Sequence, residues 1–328
     1  MAYEHALFAS LRNDRLELRL LPTEQCNFRC TYCYETFEHK KMRPGVIAGI
    51  KALISRRAAS LSELHIDWFG GEPMLTPDII ADVSRHARKE ATAHGFAYTG
   101  AMTTNGYFLD AAGFRHCLDH GINDLQISFD GDRALHDKSR VLGSGAGTFE
   151  RIWSNVVAMK PVKDDFSVLF RLHYTAENWR QVAEFGRKVH DNFGDDPRFH
   201  VFFKGIIPLG GPNDAAITRL TPKQDAEIRR SLWNASGFSQ GGGASEKVCY
   251  AAMANSLVVR STGRLAKCTV ALSSDFNDIG ELTEDGDVVV DQSKFQRWIA
   301  PVVEQRWSIV ACPLEWVARQ AMAGKAAA

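Results

Sequence analysis

The sequence predicts an α/β protein built as an open, partial, TIM-like (β/α)6 barrel followed by a small C-terminal domain. Short β-branched or aromatic runs alternate with segments of helical period from residue 16 onward, and strict alternation argues for a parallel sheet with crossover helices. The alternation stops near Asn234 after six units, about two short of a closed barrel. Residues 236–245 are then rich in Gly and Ser, the composition of a flexible linker. The chain is expected to divide into an N-terminal segment (1–15), the barrel (16–235), the linker (236–245) and a second domain with its tail (246–328).

A first strand at 17–21 delivers the chain into a cysteine-rich loop, and helical periodicity follows at 46–59. At 64–69 apolar Leu64, Ile66 and Trp68 alternate with His65 and Asp67 until Gly70-Gly71 ends the run, the period of a strand. Residues 77–94 form the next helix, 97–103 the third strand, 110–120 the third helix and 124–129 the fourth strand, each bounded by Gly or Asn. A helix at 148–159, a fifth strand at 166–174, a helix from the N-cap Thr175 through Asn192 and a sixth strand at 199–207 complete the pattern. Thr221-Pro222 opens another helix.

Lys+Arg and Asp+Glu each number 39, for a net charge of zero. That balance offers nothing to a nucleic acid or an anionic membrane surface, and neither is expected as a partner. The longest apolar stretch, 201–209, contains Lys204 and is too short to span a bilayer. The N-terminus lacks the basic start and apolar run of a secretory signal, so the expected location is the cytoplasm. The seven cysteines are an odd number in a long chain, unlike a disulfide framework, and a reducing compartment keeps them available for metals. Cys117 stands apart in a helical pattern and is read as a structural thiol.

Cys26, Cys30 and Cys33 form a C-x3-C-x2-C triplet within Cys26-Asn27-Phe28-Arg29-Cys30-Thr31-Tyr32-Cys33-Tyr34. A cubane 4Fe-4S cluster ordinarily takes four thiolates, so a compact set of three leaves one iron open for chemistry. A zinc site and three unrelated core thiols are the alternatives. Zinc takes four ligands, usually in paired short spacings. The nearest extra candidate here is His39, and no second C-x2-C exists.

Active residues of parallel α/β sheets gather where strands end. The cysteines follow strand one, Gly70-Gly71-Glu72-Pro73 strand two and Thr104-Asn105-Gly106 strand three, while Ser128-Phe129-Asp130-Gly131 ends strand four. Two glycines let backbone approach a ligand, and Glu72 offers a carboxylate to an ammonium group. Thr104, Asn105, Ser128 and Asp130 offer partners to ribose and amino-acid groups, and Arg171 on strand five offers one to a carboxylate. Singly these are common turn and loop residues. Their placement behind successive strands is what points to one site.

Residues 16 to about 210 resemble the core of radical S-adenosylmethionine (radical SAM) enzymes. By that resemblance Cys26, Cys30 and Cys33 hold the 4Fe-4S cluster, and Gly70-Gly71-Glu72-Pro73 receives the methionine amine of S-adenosylmethionine. Tyr32 and Ser128 match further cofactor contacts. Thr104 falls in the adenosine region, and Arg171 near the cofactor's carboxylate or ribose. Ile127-Ser128-Phe129-Asp130-Gly131, followed by His136-Asp137 and Arg140, resembles the branch that carries a C-terminal SPASM or twitch domain. Cys249, Gly263 and Cys268, spaced C-x13-G-x4-C, are similar to the opening of such domains, and 277–280 and 284–286 to their hairpin. A small hairpin with incidental cysteines is the plainer alternative. Only Cys312 follows, so the resemblance implies one auxiliary 4Fe-4S cluster on Cys249, Cys268 and Cys312, its fourth position empty, filled by substrate or taken by a residue such as Glu315.

The resemblance implies reductive cleavage of S-adenosylmethionine to a 5'-deoxyadenosyl radical, which abstracts hydrogen from a ribosomal precursor peptide to crosslink or oxidise it. An electron donor such as flavodoxin or ferredoxin is then required, with a separate leader-binding protein or direct recognition of the peptide core. Two alternatives are a dehydrogenase of a small molecule such as an aminocyclitol and a non-catalytic cluster-binding protein. Deoxyadenosine production separates the last from the others.

Overall fold

The computed structural model describes residues 2–239 and 248–326. Helix α1 (Ala2–Leu11) precedes strand β1 (Arg15–Leu20), and the loop beyond carries the short β2 (Phe28–Cys30). There follow α2 (Pro44–Arg57), β3 (Glu63–Trp68), α3 (Pro77–His94), β4 (Ala97–Thr104), α4 (Ala111–Asp119), β5 (Ile122–Phe129), α5 (Arg133–Ser139), β6 (Arg140–Leu142), α6 (Phe149–Met159), β7 (Ser167–Tyr174), α7 (Trp179–Phe193), β8 (Phe199–Gly205) and α8 (Pro222–Ser236). Strands β1, β3, β4, β5, β7 and β8 lie side by side in that order, all parallel. These are the six expected strands of the partial barrel.

One face of each strand is packed under helices. Leu16, Leu18 and Leu20 of β1, Leu64, Ile66 and Trp68 of β3, and Val168, Phe170 and Leu172 of β7 belong to one buried core. Helix α3 answers with Ile79, Ile80, Val83, Ala87 and Ala91, spaced to share one side of a helix. It stops at Gly95, whose φ of 78° is the left-handed conformation that glycine adopts freely. Helix α8 opens with Pro222 after a reciprocal cap between Thr221 and Gln224. The opposite strand face is polar: Arg19 bonds to Glu17 and lies 3.3 Å from Asp67.

Four strands follow the linker: β9 (Ser256–Val259), β10 (Arg264–Ala266), β11 (Gly280–Leu282) and β12 (Val288–Val290). Strand β9 pairs parallel with β1, from Glu17 opposite Ser256 to Leu20 opposite Val259, and β10 to β12 continue antiparallel. They cover the edge that β1 would otherwise leave open, and a single ten-stranded sheet results. Residues 240–245 of the expected linker lie outside the described residues, while Gly237 is the left-handed cap of α8. The chain ends in α9 (Gln292–Val303), α10 (Trp307–Val310) and α11 (Leu314–Ala326). Tyr250 lays its ring 3.4 Å from the Arg19 guanidinium carbon, a cation–π contact that seats this C-terminal part on β1.

Local sequence did not announce the antiparallel pair β2 and β6, in which Cys30 lies opposite Arg140, nor helix α5. Cys117 is buried in α4, its sulfur 4.0 Å from that of Met74. Among the described residues no helix is long and apolar enough to cross a membrane.

Candidate active site

The loop after β1 is stitched to the turn after β3. Gly71 N–H donates to Thr23 O at 3.3 Å and Glu72 N–H to Gln25 O at 3.0 Å. A Cβ on Gly71 would stand 2.3 Å from Gln25 O, and Gly70 has φ of 110° with Thr23 O 2.4 Å from where its Cβ would be. The glycine pair is thus required by the approach of the protein's own backbone, and it sets the cysteine loop against the sheet. Cys26, Cys30, Cys33, Gly70 and Gly71 line one cleft at the carboxyl ends of the strands.

Burial pushes the thiols of Cys26 and Cys33 up, to about 12 and about 11, and raises Cys30 as well. Thiolates in so dry a place need compensating positive charge, which a metal centre provides. Among the described residues no three His, Cys, Asp or Glu side chains are grouped to hold a metal ion; the three thiols share the cleft wall instead. Two orphaned atoms lie in the same cleft: Arg140 Nε and Glu35 Oε1 are buried without a hydrogen-bond partner. Burial, reinforced by Glu24, pushes the Glu35 carboxyl up to about 7. Three thiols, an unpaired carboxyl and an unpaired guanidinium nitrogen form a donor set that fits an iron-sulfur cluster and the charged groups of S-adenosylmethionine, a zwitterion carrying a sulfonium.

Glu72, expected to receive an ammonium group, is buried with both oxygens engaged by the protein. It accepts from Thr104 Oγ1 at 2.8 and 3.0 Å, Asn105 N–H at 2.7 Å and Met74 N–H at 3.0 Å. Its carboxylate braces the turn after β3 against the end of β4, and the neighbouring glycines line the cleft. Thr104 also lines the cleft, its hydroxyl proton directed to Glu72. Asn105 donates from Nδ2 to Asn27 Oδ1 at 2.8 Å and so steadies the residue beside Cys26.

Asp130, expected as a cofactor partner, is likewise buried among protein groups. Its Oδ1 accepts from the Tyr32 hydroxyl at 2.7 Å and lies 3.0 Å from His173 Nδ1, while Oδ2 accepts from Ser139. Burial opposes its charge, but the His173 hydrogen bond and the charge of Arg140 outweigh that and hold the carboxyl well below its usual range. Arg140 Nη1 donates to the Tyr32 hydroxyl at 2.9 Å, and Arg171 Nε lies 3.1 Å from His173 Nε2. Burial lowers His173 to about 4, so its ring is neutral at neutral pH.

A second cleft adjoins the first and shares Tyr32, Tyr34, Phe69, Thr103 and Ser128 with it. Arg171, His173 and Lys204 line its far side. The C-terminal cysteines act on one another electrostatically without being grouped to hold a metal ion. Cys249 N–H donates to Val310 O at 2.8 Å, which draws the segment before Cys312 alongside. After burial, the charges of Cys268 and Cys312 raise the Cys249 thiol, and Cys312 also acts on Cys268. Cys268 bears on Tyr34, and Cys312 on Lys204, residues of the second cleft.

Residues 20–189 match the family model of the Radical SAM superfamily. The chain belongs to that superfamily. Membership makes it an enzyme family member and implies a 4Fe-4S cluster and S-adenosylmethionine. Among curated relatives, GTP 3',8-cyclase of Geobacter sulfurreducens (strain ATCC 51573 / DSM 12127 / PCA) is 26% identical over 330 residues, covering 91% of this chain and 93% of that protein. GTP 3',8-cyclase of Microcystis aeruginosa (strain NIES-843 / IAM M-2473) is 28% identical over 59% of this chain and 56% of its own length. A cysteine-type anaerobic sulfatase-maturating enzyme of Clostridium novyi (strain NT) is 24% identical, covering 65% of this chain and 57% of that enzyme. The chain thus spans little more than half the length of two of these three relatives.

Among solved structures, anSMEcpe with bound S-adenosylmethionine and a peptide has a TM-score of 0.64 at 19% identity, covering 86% of this chain and 80% of that one. Streptococcus suis SuiB bound to precursor peptide SuiA has a TM-score of 0.57 at 14% identity, covering 91% and 70%. These likenesses describe the fold alone. Residue-level reasoning gave no role to Glu35, Lys204 or the Arg140 side chain. Arg140 carried a signal in His136-Asp137 and Arg140; Glu35 and Lys204 had none until their surroundings were known.

Proposed function

We propose that this radical SAM enzyme reductively cleaves S-adenosylmethionine and modifies a residue of a ribosomal precursor peptide, by crosslinking or oxidation that begins with hydrogen abstraction. The observation that carries this reading is the pair of adjoining clefts, three thiols in one and a shared wall through Tyr32, Tyr34 and Ser128 to the other. When bound on Cys26, Cys30 and Cys33, the cluster and S-adenosylmethionine supply the electron and the hydrogen-abstracting power.

The chain's own residues position the partners. The backbone at Gly70 and Gly71 and the Glu35 carboxyl would receive positive groups of the cofactor, Arg140 would receive its carboxylate, and Thr104 and Ser128 would offer hydroxyl oxygens. Tyr32, Asp130 and Asn105 keep that wall in place, and the ordered wall limits side reactions with water. Cys249, Cys268 and Cys312 would hold one auxiliary 4Fe-4S cluster, which would supply an acceptor for an electron from substrate. An electron donor such as flavodoxin or ferredoxin serves the enzyme in the cytoplasm, and the peptide is presented by a separate leader-binding protein or recognised directly through its core.

The peptide is supported by the neighbours anSMEcpe and SuiB, both captured with peptides. A second reading, a small-molecule substrate such as a nucleotide, is favoured by the Geobacter GTP 3',8-cyclase, whose match covers 93% of that protein. Anaerobic incubation of reconstituted protein with S-adenosylmethionine, a reductant and either peptides encoded beside the gene or GTP decides between them. Deoxyadenosine with a peptide lighter by two hydrogens supports the first reading. Turnover of GTP with every peptide unchanged overturns it.

A further inference from the structure

Two cations in the second cleft have no part in the reaction outlined above. Arg171 on β7 and Lys204 on β8 stand on neighbouring parallel strands, with His173 and Lys204 in register. Both are partly buried and line the cleft. Their compensation is incomplete. The Arg171 Nε hydrogen bond goes to His173 Nε2, on a neutral ring, and the groups that favour its charge are the phenols of Tyr34 and Tyr32. The groups that favour the Lys204 charge are Cys312 and Asp225, and the Asp225 oxygens are already held by the Tyr174 hydroxyl and by Arg229 at 2.6 Å. Burial presses both cations toward their neutral forms, helped by Arg140 at Arg171 and by Arg171 at Lys204, and an anion bound in the cleft they line would offset the burial of both.

The proposed reaction gives the cofactor's carboxylate a partner elsewhere. Arg140 lies in the first cleft with the three thiols and a buried, unpaired Nε. Arg171 and Lys204 line only the second cleft. Beside them Ile206, Ile207 and Leu209 form an apolar rim, suited to the aliphatic part of an anionic group.

We propose that Arg171 and Lys204 form a receptor for an oxyanion of the substrate, the carboxylate of an Asp or Glu next to the residue that is modified. The choice of carboxylate rests on the peptide reading; phosphate is the same chemistry under the nucleotide reading. The receptor orients the target residue toward the wall shared with the cofactor cleft.

The test is protection of Lys204 in the anaerobically reconstituted protein with S-adenosylmethionine bound. Trace acetic anhydride labels lysines, and mass spectrometry reads Lys204 against exposed Lys40. The probes are N-acetylglutamate N-methylamide, its glutamine counterpart, inorganic phosphate and GTP. The glutamate probe should protect Lys204 and bind about tenfold more tightly than the glutamine probe, as one charge-assisted pair allows. Arg171→Gln should abolish that protection and retain S-adenosylmethionine binding, whereas Arg140→Gln should do the reverse. Should Arg171→Gln fail to fold, calorimetry of the glutamate probe on Lys204→Met must show the same tenfold loss. Protection by phosphate and GTP alone keeps the oxyanion receptor and overturns the peptide reading. Equal protection by the glutamate and glutamine probes, or none by any anion, overturns the receptor.

Discussion

Tyr32 donates its hydroxyl proton to Asp130 at 2.7 Å, tying the loop of three thiols to the carboxyl end of β5. The same hydroxyl accepts from Arg140 at 2.9 Å. One side chain between Cys30 and Cys33 thus links the cluster loop to a buried acid and to the guanidinium of the cofactor cleft.

Replacing Tyr32 by Phe removes both bonds and leaves a buried cation short of one acceptor. The expected loss is about 1–3 kcal/mol of stability, read by chemical denaturation of the apo-protein. Iron uptake should persist, because every thiol remains. An unchanged denaturation midpoint would show that the tie contributes nothing.

Glu72→Ala strips acceptors from Thr104, Asn105 and Met74 at once in a fully buried place. It should cost about 3 kcal/mol or more and lower iron content and S-adenosylmethionine binding together. Glu72→Gln, which keeps the shape and part of the bonding, should lose less. Weakened cofactor binding with stability and iron unaffected would mean that Glu72 meets the cofactor itself.

Two cysteine triplets give opposite outcomes. With two cubanes the wild type should bind about eight irons, and the Cys26, Cys30 and Cys33 triple Ala variant about four, with no deoxyadenosine formed. Removal of Cys249, Cys268 and Cys312 should also leave about four irons, spare some uncoupled deoxyadenosine formation and abolish modified product. Wild-type iron near four, with spectra unaffected by the second triplet, rules out the auxiliary cluster.

Acid should destabilise the apo-protein through two buried histidines. Burial lowers both His136 and His173 from the ordinary 6.5 to about 4. At these two residues the unfolded chain therefore takes up protons first as pH falls from 6.5, and their contribution to stability declines until about pH 4. Each histidine contributes a loss on the order of 3 kcal/mol over that window. Thermal midpoints of wild type and His173→Gln between pH 7 and 4 check this: the variant's profile should be flatter, and parallel profiles would exclude His173 as a source.

The order of the barrel was legible in sequence because periods of two and 3.6 residues report directly which face of a strand or helix meets a core. Leu64, Ile66 and Trp68 announced β3 in this way, and the spacing of Cys26, Cys30 and Cys33 announced their loop. The pairing of β9 with β1 left no such trace, because it joins residues more than two hundred positions apart and no local period records a partner. The fate of polar side chains at the strand ends was equally hidden. Glu72 and Arg140 were both conspicuous in sequence, yet one carboxylate is enclosed by three donors while one guanidinium nitrogen is left unmatched beside the thiols. Residue type determined what each group is able to bind; only the packing of loops from separate strands decided which groups had already found partners within the protein and which still face a cleft.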